Sequence, residues 1–302
     1  MPMQTRQLAE NALMLGIALV LLFISTYTFL GMFTFLLIPI PFVLLALRRT
    51  VSNMVWIVLV FTFLGSILTG WSGGGIALFL AVLGGVMGLL YQKRRTALSA
   101  IVAGAIIVFL AYMALLAFSL FVLQINFDTV LQQASRWKPP FMTAEQFQQQ
   151  LNAAKLVLPT FFVVSSFFYS GLVHGLARVI GNRTGRPVPA LKPLREWRFP
   201  RSLLYYYFLV LITLLLFGDK LGDTFWASAI SNLKVLLDIL FTLQGLSLCL
   251  FAFHLKGWKI LTPVLVVSLF IFPFLATILS LLGIFDLGVD LRKKLESRVK
   301  RG

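Results

Sequence analysis

One cysteine and two histidines are all this chain offers for gripping soft metal ions or stapling loops. Cys249 stands alone inside an apolar run, which excludes a disulfide framework and any multi-cysteine site and reads as a buried thiol. His174 and His254 lie too far apart for an HExxH pair. No GxxxxGK[ST] loop is present, so the chain is not expected to energise transport by its own nucleotide hydrolysis in the usual way. Gly73-Gly74-Gly75 lacks the lysine such a loop needs. Hydroxyls are plentiful, Ser165 and Ser166 among them, but no base stands beside them and they read as helix-packing residues. The expectation is a protein that is not an enzyme, with no cofactor and no metal.

Charge is scarce as well, and acids are the scarcest. Only 12% of the residues are charged, against about 25% in ordinary soluble domains. Ten Asp and Glu face 26 Lys and Arg, a net charge of +16. The cations are dispersed through short breaks between apolar runs, so nucleic acid is not an expected partner. Topology signals and contact with anionic lipid explain them better.

What the chain has in quantity is oil. Hydrophobic residues make up 59% of it, and the mean hydropathy is +0.94. Apolar runs cover 11–30, 31–47, 51–70, 75–91, 97–124, 156–180, 202–218, 232–254 and 260–283, most of them close to the ~20 residues a spanning helix needs. The expected class is all-α, a polytopic transmembrane helix bundle of about eight to nine membrane segments. The stretch from Ala12 to Leu47 is too long for a signal-peptide core, so the first helix is expected to be retained. Pro39 and Pro41 should distort the second run, and the glycines at 70 and 73–75 should form a turn around Trp71.

Lysine and arginine set the expected orientation. With the N-terminus in the cytoplasm, Arg48 and Arg49, the cluster at 93–95, the 181–201 connection, Lys256 and Lys259 all fall inside. The 181–201 connection offers Arg183, Arg186, Lys192, Arg195 and Arg198 as a basic cytoplasmic surface. Nine full crossings would place the basic tail (Arg292, Lys293, Lys294, Arg298, Lys300, Arg301) outside, against the bias. Either the segment around Pro263 and Pro273 enters and turns back, or the tail is outside. The first is preferred. On the external side, Thr143 and Gln146 have capping-box spacing, so a helix should start near Ala144 and run into the next span with a kink at Pro159. Residues 127–133 read as a short amphipathic helix.

The second half resembles the YybS-type family of bacterial integral membrane proteins. The resemblance rests on Trp197-Arg198-Phe199-Pro200 closing the basic loop, Asn232-Leu233 opening a long helix, Gln244-Gly245-Leu246 within it, and Leu282-Gly283-Ile284-Phe285-Asp286 before the tail. It implies a bacterial cytoplasmic membrane location and an N-terminal six-helix half similar to the S components of energy-coupling-factor transporters. The domain scheme that follows is 1–180 as that half, 181–201 as basic loop, 202–285 as C-terminal membrane helices, and 286–302 as tail. The same resemblance implies docking of a membrane coupling protein or ATPase module through small residues on the first helix. Ala12 and Gly16 have the required spacing, although ordinary packing uses the same pattern.

Polar groups inside lipid are costly, so each is a candidate site. His174 is either a substrate- or proton-responsive group or bonded to a neighbouring helix. Asp238 either pairs locally with Lys234, in the less favourable order for a helix, or faces the bundle to meet a cation or solute. Gln244 beside Gly245 reads as interhelical hydrogen bonding at a close contact. Glu10 is expected to pair with Arg6 at the surface, and Asp286 and Asp290 to form solvated pairs with nearby cations. The leading functional expectation is a small-solute-binding or transport-related component without its own ATPase. The alternative is a scaffold or assembly factor working through its basic loops.

Overall fold

The computed structural model describes residues 2–94, 96–125, 127–221 and 224–299, and among them every regular element is helical. In chain order these are α1 (Pro2–Tyr27), α2 (Gly31–Leu37), α3 (Pro39–Ala46), α4 (Val51–Arg94), α5 (Ala97–Phe121), α6 (Phe127–Ser135) and α7 (Ala144–Arg183). A 3-10 turn at Leu194–Glu196 precedes α8 (Ser202–Leu221), α9 (Phe225–Leu255), α10 (Leu261–Ile271), α11 (Phe274–Val289) and α12 (Leu291–Val299). Five helices are long and apolar enough to cross a membrane: α1, α4, α5, α7 and α9. A sixth is added if α11 and α12, bent by 77°, count as one. That is fewer than the eight to nine runs, because Gly31–Ala46, Ser202–Phe217 and Leu261–Ile271 are apolar but short, and two runs share α4. The tail cations at 300 and 301 lie outside the described residues.

Two compact units emerge, residues 1–132 with 162–191 and residues 133–161 with 192–302. The division falls inside α7 rather than at 180, so 133–161 groups with the C-terminal helices. The 181–201 connection is divided after Leu191.

In the first unit, α4 is a helical hairpin. Gly70 has φ +78° and ψ −178°, a conformation open to glycine alone. A Cβ on Gly65 would lie 2.9 Å from that of Ala77, so the two arms (51–69 and 71–94) run side by side. α3 is the hub. All eight of its residues are buried, as expected of a helix apolar on every face. Gly84 and Gly88 on the second arm let α3 approach backbone to backbone: a Cβ on Gly84 would strike Pro39 O, and one on Gly88 would lie 2.5 Å from Val43 O. Phe42 and Phe61 meet edge to face at 4.8 Å inside this core.

In the second unit, α7 starts with the reciprocal capping box read from the sequence. Gln146 N donates to Thr143 Oγ1 and Thr143 N to Gln146 Oε1, each at 3.1 Å. Beside Pro159, which sits inside the helix, the Asn232 amide bonds the α7 backbone. Thr160 N donates to Asn232 Oδ1 at 3.0 Å, and Asn232 Nδ2 donates to Leu156 O at 2.6 Å. One side chain thus bridges the 160-to-156 rung, and the Thr160 hydroxyl adds a bond to Asn232 O at 2.9 Å. Asn232→Leu should cost about 1–3 kcal/mol, the penalty for stranding the N–H of buried Thr160. Adding Pro159→Ala should recover part of it by letting the rung close directly. Thermal unfolding in detergent of the two single variants and the double variant checks this; strictly additive losses would refute it.

Contacts between α9 and α11 advance together along both helices. Thr242 Oγ1 bonds Ala276 O at 3.2 Å, a Cβ on Gly245 would lie 3.1 Å from Gly283 N, and Ser247 meets Arg292, on α12 just past the end of α11, at 2.9 Å. The two helices therefore run parallel, and α10 must carry the chain back between them. Its 11 residues rise about 16 Å, roughly half of a ~30 Å hydrocarbon core. The last apolar run turns back at Phe272–Pro273, and the tail returns to the end of α9 that faces the 192–201 loop.

Candidate functional site

Three polar or concave features stand out. The first is a cavity of about 700 Å³ in the first unit, formed where α1 ends and α2 begins, with Ile76 and Tyr169 on its walls. Its apolar lining comes from Leu22, Phe29, Met32, Phe35 and Leu36, and no charged residue contributes. Its hydroxyls spend their protons on backbone carbonyls: Ser25 on Gly31, Thr26 on Leu22, Thr28 on Ile24 and Tyr169 on Phe35. What they turn toward a guest is acceptor oxygen. The size is that of a small-molecule site.

The second feature is a polar ring at the opposite end of α1. Arg49 Nη2 and Glu10 Oε2 are 2.8 Å apart, Arg49 Nε donates to Asn11 Oδ1 at 3.0 Å, and Arg186 pairs with Glu10 Oε1. Arg186 also donates to Leu44 O at 3.1 Å, one of the carbonyls left without a helical partner at the end of α3. Burial pulls the pKa of the Arg186 guanidinium below its ordinary value, though guanidinium remains charged in proteins. This corrects the expectation for Glu10, whose partners are two arginines far along the chain. A helix-surface pair with Arg6 could not compete with two partly buried guanidinium groups.

The third feature locks tail to loop in the second unit. Asp286 has a fully buried side chain; its Oδ2 accepts from Gln244 Nε2 at 2.6 Å and from Arg292 Nε at 3.1 Å. Its Oδ1 has no hydrogen-bond partner among the described residues. The rest of the Arg292 fork reaches Arg195 O at 3.1 Å, Trp197 O at 2.9 Å and Ser247 Oγ at 2.9 Å, and its face lies over Phe251. Gln244 Oε1 accepts from Phe199 N at 3.0 Å. Asp290, in the left-handed conformation between α11 and α12, pairs with Arg198 at 2.8 Å and with Arg201 and Lys293 at 3.6 Å. Hydrogen bonding to Asp290 raises the pKa of the Arg198 guanidinium. Asp286 is therefore no solvated carboxylate; it sits six residues before Arg292, a spacing that only the turn at Asp290 makes close.

The remaining candidates fall as follows. His174 is buried with its Nδ1 2.8 Å from the Tyr91 hydroxyl on the neighbouring arm of α4. Asp238 pairs with Lys234 at 2.7 Å, both side chains about one-third exposed, with Tyr207 beside it. Gln244 is wholly buried. Ala12 and Gly16 lie on an exposed face of α1, and a Cβ on Gly16 would meet nothing within 4 Å. Their spacing serves no close packing among the described residues. Arg183, Lys192 and Arg198 are exposed, Arg195 is half-buried and Arg186 is buried. Sequence reasoning missed Arg49, Ser247 and Arg292 as organising groups. The only local signal was that three motifs carrying the resemblance (residues 197–200, 244–246 and 282–286) each hold a polar or glycine position, and the lock is where they converge.

Residues 15–287 match the family described as predicted membrane protein (DUF2232). The chain is 26% identical over 310 aligned positions to the uncharacterized protein YybS of Bacillus subtilis (strain 168), covering 97% of this chain and 99% of that one. No solved structure matches.

Proposed function

The chain belongs to this family of predicted membrane proteins, and on that premise we propose that it is a small-solute-binding, transport-related component of the bacterial cytoplasmic membrane. The observation that carries the reading is the uncharged cavity of about 700 Å³ beside Tyr169. Its solute is mainly apolar with one or two hydrogen-bond donors, matched to the acceptor hydroxyls of Ser25, Thr26 and Thr28. The N-terminus is cytoplasmic in this reading, because Arg49, Arg186 and the exposed Lys93 and Arg94 gather at the α1 entrance end. The cavity, at the far end of α1, then opens to the outside. An S-component-like first half, taking its energy from a partner that docks on the open Ala12–Gly16 face, fits this layout. A scaffold role has one observation in its favour: the 192–201 loop and tail are fixed together as a single basic surface by Asp286 and Asp290.

The test is native purification in lipid nanodiscs and mass spectrometry of what stays bound, beside Met32→Trp, which fills the cavity. The expected result is a retained solute in the parent chain and at least a tenfold loss in the variant. No retained solute, together with no thermal shift across a panel of vitamins and metabolites, would sink the transport reading.

A further inference from the structure

A second concavity of about 500 Å³ lies at the basic end of the first unit, between the α3–α4 turn, the last turn of α4 and residues 185–189. We propose that this groove is a binding site for a phosphate oxyanion, carried by an anionic phospholipid headgroup or by a soluble phosphate ester. The proposal stands apart from the solute cavity, sharing no lining residue with it.

The groove is built for negative charge. No acidic residue lines it, while Arg48, Arg186 and Gln92 do. The nearby ring has one carboxylate, Glu10, already shared between Arg49 and Arg186. With Arg48 that leaves three guanidinium groups against one carboxylate, and Lys93 and Arg94 add to the excess. The local chain geometry aims the donors. Gly185 sits at φ +69° just past α7, and Arg186 N bonds back to Gly181 O at 2.8 Å, a left-handed helix cap. That cap turns Gly185 O toward Arg48, whose Nη2 it holds by one long bond of 3.4 Å. Arg48 is otherwise exposed. Its fork is oriented, with most of its donors open for bidentate recognition of phosphate. Arg186 is over nine-tenths buried and forms a fixed rear wall. Leu47, Tyr91 and Val188 make the floor apolar, as the neck of a lipid requires, and basic pockets between membrane helices bind such headgroups.

The test uses the full chain. In nanodiscs containing about one-quarter phosphatidylglycerol in phosphatidylcholine, native mass spectrometry should find phosphatidylglycerol retained after detergent extraction. Arg48→Gln and Gln92→Leu should each lower retention at least fivefold, and Arg48→Lys should fall between. In nanodiscs of phosphatidylcholine alone, a thermal midpoint rising with inorganic phosphate or glycerol phosphate, and not rising in Arg48→Gln, would assign the oxyanion to a soluble ester. Arg183→Gln, which removes an exposed cation outside the groove, should change neither readout. The absence of both lipid retention and a phosphate-dependent midpoint overturns the site. So does an equal effect of Arg183→Gln and Arg48→Gln, which would mean diffuse charge rather than a built pocket.

Discussion

Arg292→Ala is expected to destabilise the second unit by about 3–5 kcal/mol, the range for removing one partner of a buried ion pair. The loss has two parts. Asp286, with no exposed side-chain surface, keeps a charge that only Gln244 would still address. The carbonyls of Arg195 and Trp197 and the Ser247 hydroxyl lose their common donor. Arg292→Lys keeps the charge but not the fork, so it should recover only part, because a point ammonium cannot span four acceptors. Asp286→Asn with Arg292→Met should recover more, since the amide oxygen still accepts from Gln244 and no charge is left stranded. Unfolding in detergent gives the energies, and trypsin gives the geometry: a released tail should expose Arg198 and Arg201 to faster cleavage. An unchanged unfolding midpoint with an unchanged cleavage rate would refute the lock.

Gly245→Leu should cost about 3 kcal/mol, the upper end for overpacking, or prevent folding. The contact is reciprocal and made of backbone. A Cβ on Gly245 would strike Leu279 O, and a Cβ on Gly283 would strike Phe241 O and come within 2.9 Å of Gly245 N. No rotamer change relieves a clash with a helix carbonyl, so α9 and α11 would have to separate. Separation would also pull Gln244 from Asp286. The matched control is Gly16→Leu, on a face with nothing within 4 Å, where the change should stay within about 0.5 kcal/mol. Melting midpoints of the purified variants decide; equal losses at the two glycines would show that close approach is not what position 245 supplies.

The features legible in the sequence are those encoded by neighbouring residues. The Thr143–Gln146 cap follows from chemistry within a few positions and is found in place, whereas the turn expected from Gly70 and Gly73–75 around Trp71 narrows to Gly70 alone, with 71–94 helical. The membrane class followed from apolar content, which needs no partner to be read. The failures are of another kind. Glu10 meets Arg49 and Arg186, 39 and 176 positions away, and no local spacing signals such a pair. Asp286 and Arg292 were visible as charges, but their burial depends on α10 turning the chain back and on Asp290 taking a left-handed conformation. The Asn232 amide that bonds the α7 backbone beside Pro159 is 73 positions from that proline. Resemblance pointed to residues 197–200, 244–246 and 282–286 without saying that they touch. The 700 Å³ cavity is lined mostly by apolar side chains like those around it, so no residue type marked it.

The Arg292 lock also bears on how the protein is made. Gln244 and Asp286 leave the ribosome before Arg292 does, so the carboxylate reaches the membrane while its counter-charge is still being translated. The second unit can close its lock only once Arg292 has been made, whereas the first contains its own arginine–glutamate ring by residue 186. A chain terminated just before position 292 would carry every apolar helix and still display an unneutralised acid, the kind of defect by which membrane proteases distinguish unfinished products from complete ones.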